Sequence, residues 1–285
     1  MALPRPLLIS ASLATLVAVQ MGIAIGIFNG MDKIISTALQ VSVTSPLGFP
    51  LVVSTFCPAG FVGSQLSTSL LGNGFVQAFN NMAYLCVASG CFAGASYLMC
   101  SASLSLSFSF LLLSRMLVGI ASGAGSVIVP RYLMEISPRD FRGFLGAFFQ
   151  GGVVLGIFFV NLFAKPFTTS TGWGLYLFAF PACIGMVQVG LSAKHLHESP
   201  IWLEFKDRQN EAARSRLKLG LPSSDVAEAP LLGKDSNTPA DNREAITVRE
   251  LVMDSKLSFP FAVVAFILVA QQLSGINAIF FYVGV

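Results

Sequence analysis

The chain has 285 residues, 54% of them hydrophobic and only 11% charged, and its mean hydropathy is +0.73. Soluble domains carry about 25% charged residues, so the composition excludes an ordinary soluble globule and points to an integral membrane protein. A net charge of +3 leaves no electrostatic footprint for nucleic acid.

The first apolar run, 7–29, follows a short lead carrying Arg5. It is longer than the core of a cleaved signal and predicts a retained transmembrane helix. Gly22, Gly26 and Gly30 recur along it near one face, where a neighbour can approach closely. A second run covers 49–71, and Pro58 within it predicts a kink. Further runs cover 83–104, 107–130, 144–164 and 173–193. Each can cross a hydrocarbon core about 30 Å thick at ~1.5 Å per residue. Short links predict that sequential helices are antiparallel neighbours. The fourth run is expected to leave the membrane at Pro130, so that Arg131, Glu135, Arg139, Asp140 and Arg142 lie in a short charged loop.

Residues 194–258 hold ten of the 17 Lys/Arg and eleven of the 14 acids, and read as a soluble insert. Ser199-Pro200 predicts a helix start, with Trp202, Leu203 and Phe205 on the membrane surface or the bundle base. Residues 208–219 predict a second helix stopped by Gly220. Residues 220–242 read as a mobile loop, and Thr247 to Glu250 as a capping box. The last stretch, 259–285, is apolar again. Three parts follow: 1–193 as a six-helix transmembrane bundle, 194–258 as a helical loop, and 259–285 as the start of a second bundle. Arg5, Arg131, Arg139, Arg142 and the insert fall on one side of the membrane, against Lys33 and Lys165 on the other. Basic residues favour the cytosol, so the N-terminus and the 194–258 loop are predicted cytosolic.

No pattern points to covalent catalysis or to a metal. His195 and His197 flank Leu196 without a third ligand at metal spacing. Cys57, Cys86, Cys91, Cys100 and Cys183 are odd in number and lie in or beside apolar runs, which suits packing rather than a disulfide framework. Arg115 is a charge inside a span and a functional candidate; snorkelling to the interface is the alternative. Intramembrane amides are Gln20, Asn29, Gln150, Asn161, Gln188, Gln271, Gln272 and Asn277. Any of them can be an interhelical hydrogen bond of about 1 kcal/mol.

The stretch 114–150 holds, in order, Arg115, Gly119, Gly123, Val129-Pro130, Tyr132, Glu135, Pro138, Arg142-Gly143, Leu145-Gly146 and Gln150. It resembles the fourth and fifth helices of the sugar porters of the major facilitator superfamily, the family of the facilitative glucose transporters. His197-Glu198-Ser199-Pro200 resembles the family's PESP motif, with His197 for its first Pro. Gln271-Gln272-Leu273-Ser274-Gly275-Ile276-Asn277 resembles its seventh helix. The resemblance covers essentially the whole chain. It implies an all-α membrane protein: the N-terminal six-helix bundle of a major facilitator fold, a cytosolic helical insert, and the first helix of the second bundle. It also implies a chain that stops within the seventh of twelve helices and is inactive alone.

The implied activity is facilitated diffusion of a hexose-like sugar by alternating access, with no enzyme activity, cofactor, metal or catalytic residue. The implied partners are a small sugar, the lipid bilayer and a full-length porter. The alternatives are a non-transporting truncated partner of such a porter and a sugar sensor. By the resemblance, Gln150, Gln271, Gln272 and Asn277 bond the hexose and Val153 is an apolar wall. Arg115, Glu135, Arg142 and Glu198 belong to the gating charge network. Two departures stand out. The segment 70–81, LLGNGFVQAFNN, lacks the family's basic signature. Ala24 stands where proton-coupled porters have Asp and several facilitators have Asn, so no titratable group is available there for proton coupling.

Overall fold

The structure is a computed structural model describing residues 3–29, 31–40, 47–164, 172–221 and 255–274. It divides into two compact units, residues 1–227 and 228–285, each considered by itself.

In the first unit, α1 (Arg5–Gly26) starts behind an extended Pro4, where proline's fixed φ and missing donor cost a helix nothing. Next comes α2 (Asp32–Leu39), eight residues ended by Gln40 in a left-handed conformation; it is too short to register as a span. The second apolar run forms two helices, α3 (Phe49–Ser54) and α4 (Phe56–Leu71), which break at Thr55. Pro58 has no N–H for the carbonyl of Ser54, so the interruption falls one turn ahead of the proline.

Two boundaries differ from those read in the sequence. Helix α5 (Phe75–Met99) starts eight residues before 83. Its polar first turns found partners: the Gln77 amide donates to Asn81 at 3.1 Å, and Asn80 accepts from the Ser192 hydroxyl. Helix α6 (Leu104–Ile136) runs straight past Pro130. The turns beyond it are held by Tyr132, Leu133 and Ile136, all fully buried, so packing outweighs the lost donor. Arg131 and Glu135 are therefore helical, and a 3-10 turn at Arg139–Phe141 leads directly into α7 (Arg142–Ala164).

Helix α8 (Trp173–His195) completes the membrane-sized set. Among the described residues six helical segments are long and apolar enough to cross a membrane, the α3–α4 pair counting as one. The insert opens with α9 (Pro200–Phe205), capped by Ser199, and α10 (Gln209–Leu219), closed by a left-handed Gly220, as the sequence predicts. Trp202 and Leu203 are buried on the base of the bundle, while Phe205 is exposed. Residues 222–254, with the predicted capping box, lie outside the described residues. In the second unit, α11 (Ser255–Leu273) carries Pro260 within it.

Sequential helices are not always neighbours. The main contacts are α5 with α6, α4 with α6, α5 with α8 and α1 with α7, so α8 packs mainly on α5 and meets α7 at fewer points, such as the Tyr176 hydroxyl donating to the Val160 carbonyl at 2.7 Å. Lipid offers little hydrophobic drive between helices, and close backbone approach decides the pairing. A Cβ on Gly156 would stand 2.2 Å from the Val19 carbonyl oxygen of α1, and one on Gly22 would stand 2.1 Å from that of Val153. The core has two parts. One, towards the insert, contains Leu7, Phe75, Phe79, Tyr132 and Trp202. The other, at the opposite end, contains Ile23, Phe28, Met31, Trp173 and Tyr176.

Candidate functional site

In the middle of the bundle Arg115 faces α1. It is 2% exposed, so it does not snorkel. Its Nη1 donates to the Ala24 carbonyl at 2.7 Å. Ala24 lies in the last turn of α1, where carbonyls outrun the helix's own donors and the dipole is negative. The guanidinium carbon sits 4.5 Å from the Phe28 ring centroid and 5.0 Å from that of Phe56, within cation–π range. Gln20, one turn earlier on α1, is 3% exposed. With Ile23, Ser89, Ser114 and Leu177, these residues line a cavity of ≈ 20 Å³. That is room for water-sized particles and not for a sugar.

Other intramembrane amides tie helices together. Gln188 donates from α8 to the Phe79 carbonyl at 3.1 Å. Asn161 on α7 accepts from the Asn29 amide, just past the end of α1, at 3.5 Å, while donating to the Ile157 carbonyl of its own helix at 2.8 Å. Serines do the same between α5 and α6, through Ser89 with Ser114 and Ser96 with Ser107, both at 3.1 Å.

Gln150 differs from these amides. It sits two turns into α7, is exposed, and makes no hydrogen bond among the described residues. Val153, 7% exposed, lies on the side of α7 against α1, where its backbone meets Gly22. In the second unit Gln271 is in the last turn of α11, and its carbonyl accepts the Ser274 hydroxyl at 2.6 Å. The side chain of Gln272 and all of Asn277 lie outside the described residues.

At the insert end, Glu198 accepts N–H groups of the first turn of α5, Phe75 at 2.8 Å and Val76 at 3.0 Å. Gly74 makes this possible: its φ is +114°, and a Cβ there would stand 2.5 Å from a Glu198 carboxylate oxygen. Burial lifts the Glu198 pKa above the ordinary carboxylate value, helped by the charge of Glu135 and opposed by the two N–H bonds and Arg208. Glu135, 7% exposed, accepts from Arg131 Nε at 2.9 Å and from the Ser199 hydroxyl. Ser199 also accepts the Trp202 N–H at 3.3 Å as the cap of α9. The Tyr132 hydroxyl donates to the His197 carbonyl at 2.6 Å, and that of Ser215 to the Glu198 carbonyl at 2.5 Å. Arg142 pairs with neither acid, and its buried Nε has no partner. Among the described residues no cluster of three or more His, Cys, Asp or Glu could hold a metal ion.

The model of one protein family, described as "Sugar (and other) transporter", matches residues 10–285. The chain belongs to the sugar transporter family. Facilitated glucose transporter member 3 of Homo sapiens is 30% identical over 292 residues, covering 97% of this chain and 57% of the relative. Member 1 of Gallus gallus is 29% identical over 97% of this chain and 58% of its own length. Such relatives are transporters rather than enzymes. This sugar transporter family chain thus spans little more than half the length of the curated relatives it matches. Among solved structures, the xylose transporter XylE from E. coli, partially occluded and inward-open, superposes with a TM-score of 0.75 at 19% identity, over 98% of this chain and 64% of XylE. The proton:xylose symporter XylE bound to 6-bromo-6-deoxy-D-glucose gives 0.65 at 22% identity, over 75% of this chain and 50% of that one. These likenesses establish the major facilitator fold, and with the six apolar helices the sugar transporter family chain is an integral, multi-pass membrane protein.

Within that fold the predicted site residues separate into three places. Glu135 and Glu198 come together at the insert end, linked through Ser199. Arg115 stands apart in mid-bundle, and Gln150 on the open side of α7. The segment 70–81 carries no basic side chain, and its backbone N–H groups at the start of α5 receive Glu198. Sequence reasoning missed Ser199, Tyr132 and Gln20 as partners. The two-turn spacing of Ser89 to Ser96, repeated in Ser107 to Ser114, is a signal that reveals the α5–α6 seam.

Proposed function

We propose that the chain supplies the N-terminal half, the linking insert and the first helix of the second half of a carrier. The carrier moves a neutral, hexose-like sugar by facilitated diffusion through alternating access. The observation that carries this reading is Gln150, an unpartnered amide on the open face of a largely apolar helix, in a chain matching the family over 10–285. An amide left facing hydrocarbon is costly, whereas a polyol offers it both donors and acceptors. Gln150 and Val153 serve from this half, and Gln271, Gln272 and Asn277 from the next. Glu135 and Glu198 hold the insert against the bundle, and Arg142 and Arg115, the latter bracing α1 to α6, are the remaining gating positions. The functional parts are 1–193, 194–258 and 259–285. Arg131, Arg139, Arg142 and the insert gather at one end, which favours a cytosolic insert and N-terminus.

Ala24 is a methyl group where a proton carrier needs an acid, which favours uncoupled transport. The test is hexose uptake by this chain extended with the second half of a facilitated glucose transporter. Collapsing the proton gradient leaves uptake unchanged. Gln150→Leu weakens sugar affinity about 5- to 100-fold, the worth of an amide bonding one or two hydroxyls. Uptake that follows the proton gradient overturns the uncoupled mechanism, and unchanged affinity in Gln150→Leu removes that residue from the site.

A further inference from the structure

Arg115 is a cation in the middle of a span, and no carboxylate reaches it. Outside residues 194–258 the only acids are Asp32, Glu135 and Asp140. Asp32 starts α2, beyond the end of α1, and Glu135 lies more than five turns further along α6. The guanidinium keeps one neutral acceptor, the Ala24 carbonyl. Its Nε is buried without an acceptor, and both amide atoms of Gln20 are buried without partners. Both side chains line the same ≈ 20 Å³ cavity. A desolvated guanidinium without a counter-charge is costly; the two rings and the end of the α1 dipole offset only part of that cost.

We infer that this cavity is a binding site for one small inorganic anion, a halide such as chloride. The Arg115 guanidinium and the Gln20 amide N–H would hold it. The cavity has the size of a water-sized particle, and its orphaned donors come from two helices. A halide accepts N–H groups without directional demand and tolerates apolar walls such as Ile23 and Leu177. Its charge supplies what no side chain near Arg115 supplies, and it fastens α1 to α6 inside the bundle.

The test uses the purified full chain in detergent. Radiolabelled chloride is measured by equilibrium dialysis, and unfolding temperature is compared in chloride, bromide and gluconate salts at equal ionic strength. The expected result is saturable one-site binding, with a higher unfolding temperature in either halide than in gluconate. Gln20→Leu lowers chloride affinity about tenfold, the worth of one hydrogen bond to an ion. Ala24→Asp keeps the guanidinium and gives it an internal carboxylate. It abolishes chloride binding and makes the unfolding temperature independent of the anion. Absence of saturable binding in the unmodified chain overturns the site, as does stabilisation that grows with salt without saturating. Wild-type chloride affinity in Ala24→Asp overturns it equally.

Discussion

Replacing Glu198 by alanine should undock the insert. Its carboxylate accepts two backbone N–H groups at 2.8 and 3.0 Å, and hydrogen bonds to a charged group contribute about 1.5–3 kcal/mol each. Burial and the nearby Glu135 charge outweigh those bonds for the ionised form, which is why its pKa is raised, so what alanine costs is the acceptor of two N–H groups, about 1–3 kcal/mol. That is a fall of roughly 5- to 150-fold in the protection of α9 and α10 amides against exchange. Hydrogen exchange read by mass spectrometry measures it directly. Fluorescence gives a second readout, because Trp202 is buried at the insert end whereas Trp173 is in the other part of the core. The control is Glu211→Ala. It removes an ion pair to Arg208 at 2.6 Å whose side chains are about half exposed, and should cost under about 1 kcal/mol. Unchanged protection of α9 in Glu198→Ala, with Trp202 emission unaltered, would refute the clamp.

The same carboxyl has a pH signature. Its folded pKa lies above the ordinary 4.5, so the folded chain holds this proton more tightly than the unfolded one. That stabilisation is complete below 4.5 and disappears as pH rises through the raised value. The melting temperature of the unmodified chain should therefore fall relative to that of Glu198→Gln across this window; a relative rise would contradict the assignment. At the α1–α7 contact, Gly156→Leu should destabilise the bundle by more than about 2 kcal/mol, since its Cβ would meet the Val19 carbonyl at 2.2 Å and backbone must move. Gly143→Leu, where a Cβ meets nothing within 4 Å, is the comparison in the same unfolding titration, and equal melting of the two variants would discount the close approach.

Hydropathy made the membrane class and the number of spans legible, because length and apolarity are properties of a run and survive without tertiary knowledge. The ends of α5 and α6 were not legible. Gln77, Asn80 and Asn81 look like a loop until their partners across the turn and on α8 are in place. Pro130 looks like a stop until the buried Tyr132, Leu133 and Ile136 are seen to hold the chain helical beyond it. Motifs brought Glu135 and Glu198 to notice as charges, and the geometry makes them something else. They are acceptors for a hydroxyl, an arginine on the same helix and two backbone N–H groups. Gln20 was indistinguishable from Gln188 by sequence, since both are single amides in apolar helices. Only position separates an amide that donates to Phe79 from one left unbonded beside Arg115.

The two serine pairs between α5 and α6 act as dowels. Ser89 with Ser114 and Ser96 with Ser107 lie two turns apart on both helices. A slip of one turn would set Ser89 against Val118 and Ser96 against Leu111, breaking both pairs together. Each polar contact inside a membrane contributes about 0.6–2 kcal/mol, and a one-turn slip the other way restores only a single pair, Ser96 with Ser103. Helices α5 and α6 must then travel as a single strut in any rearrangement of the bundle, and sliding is left to seams without such pins.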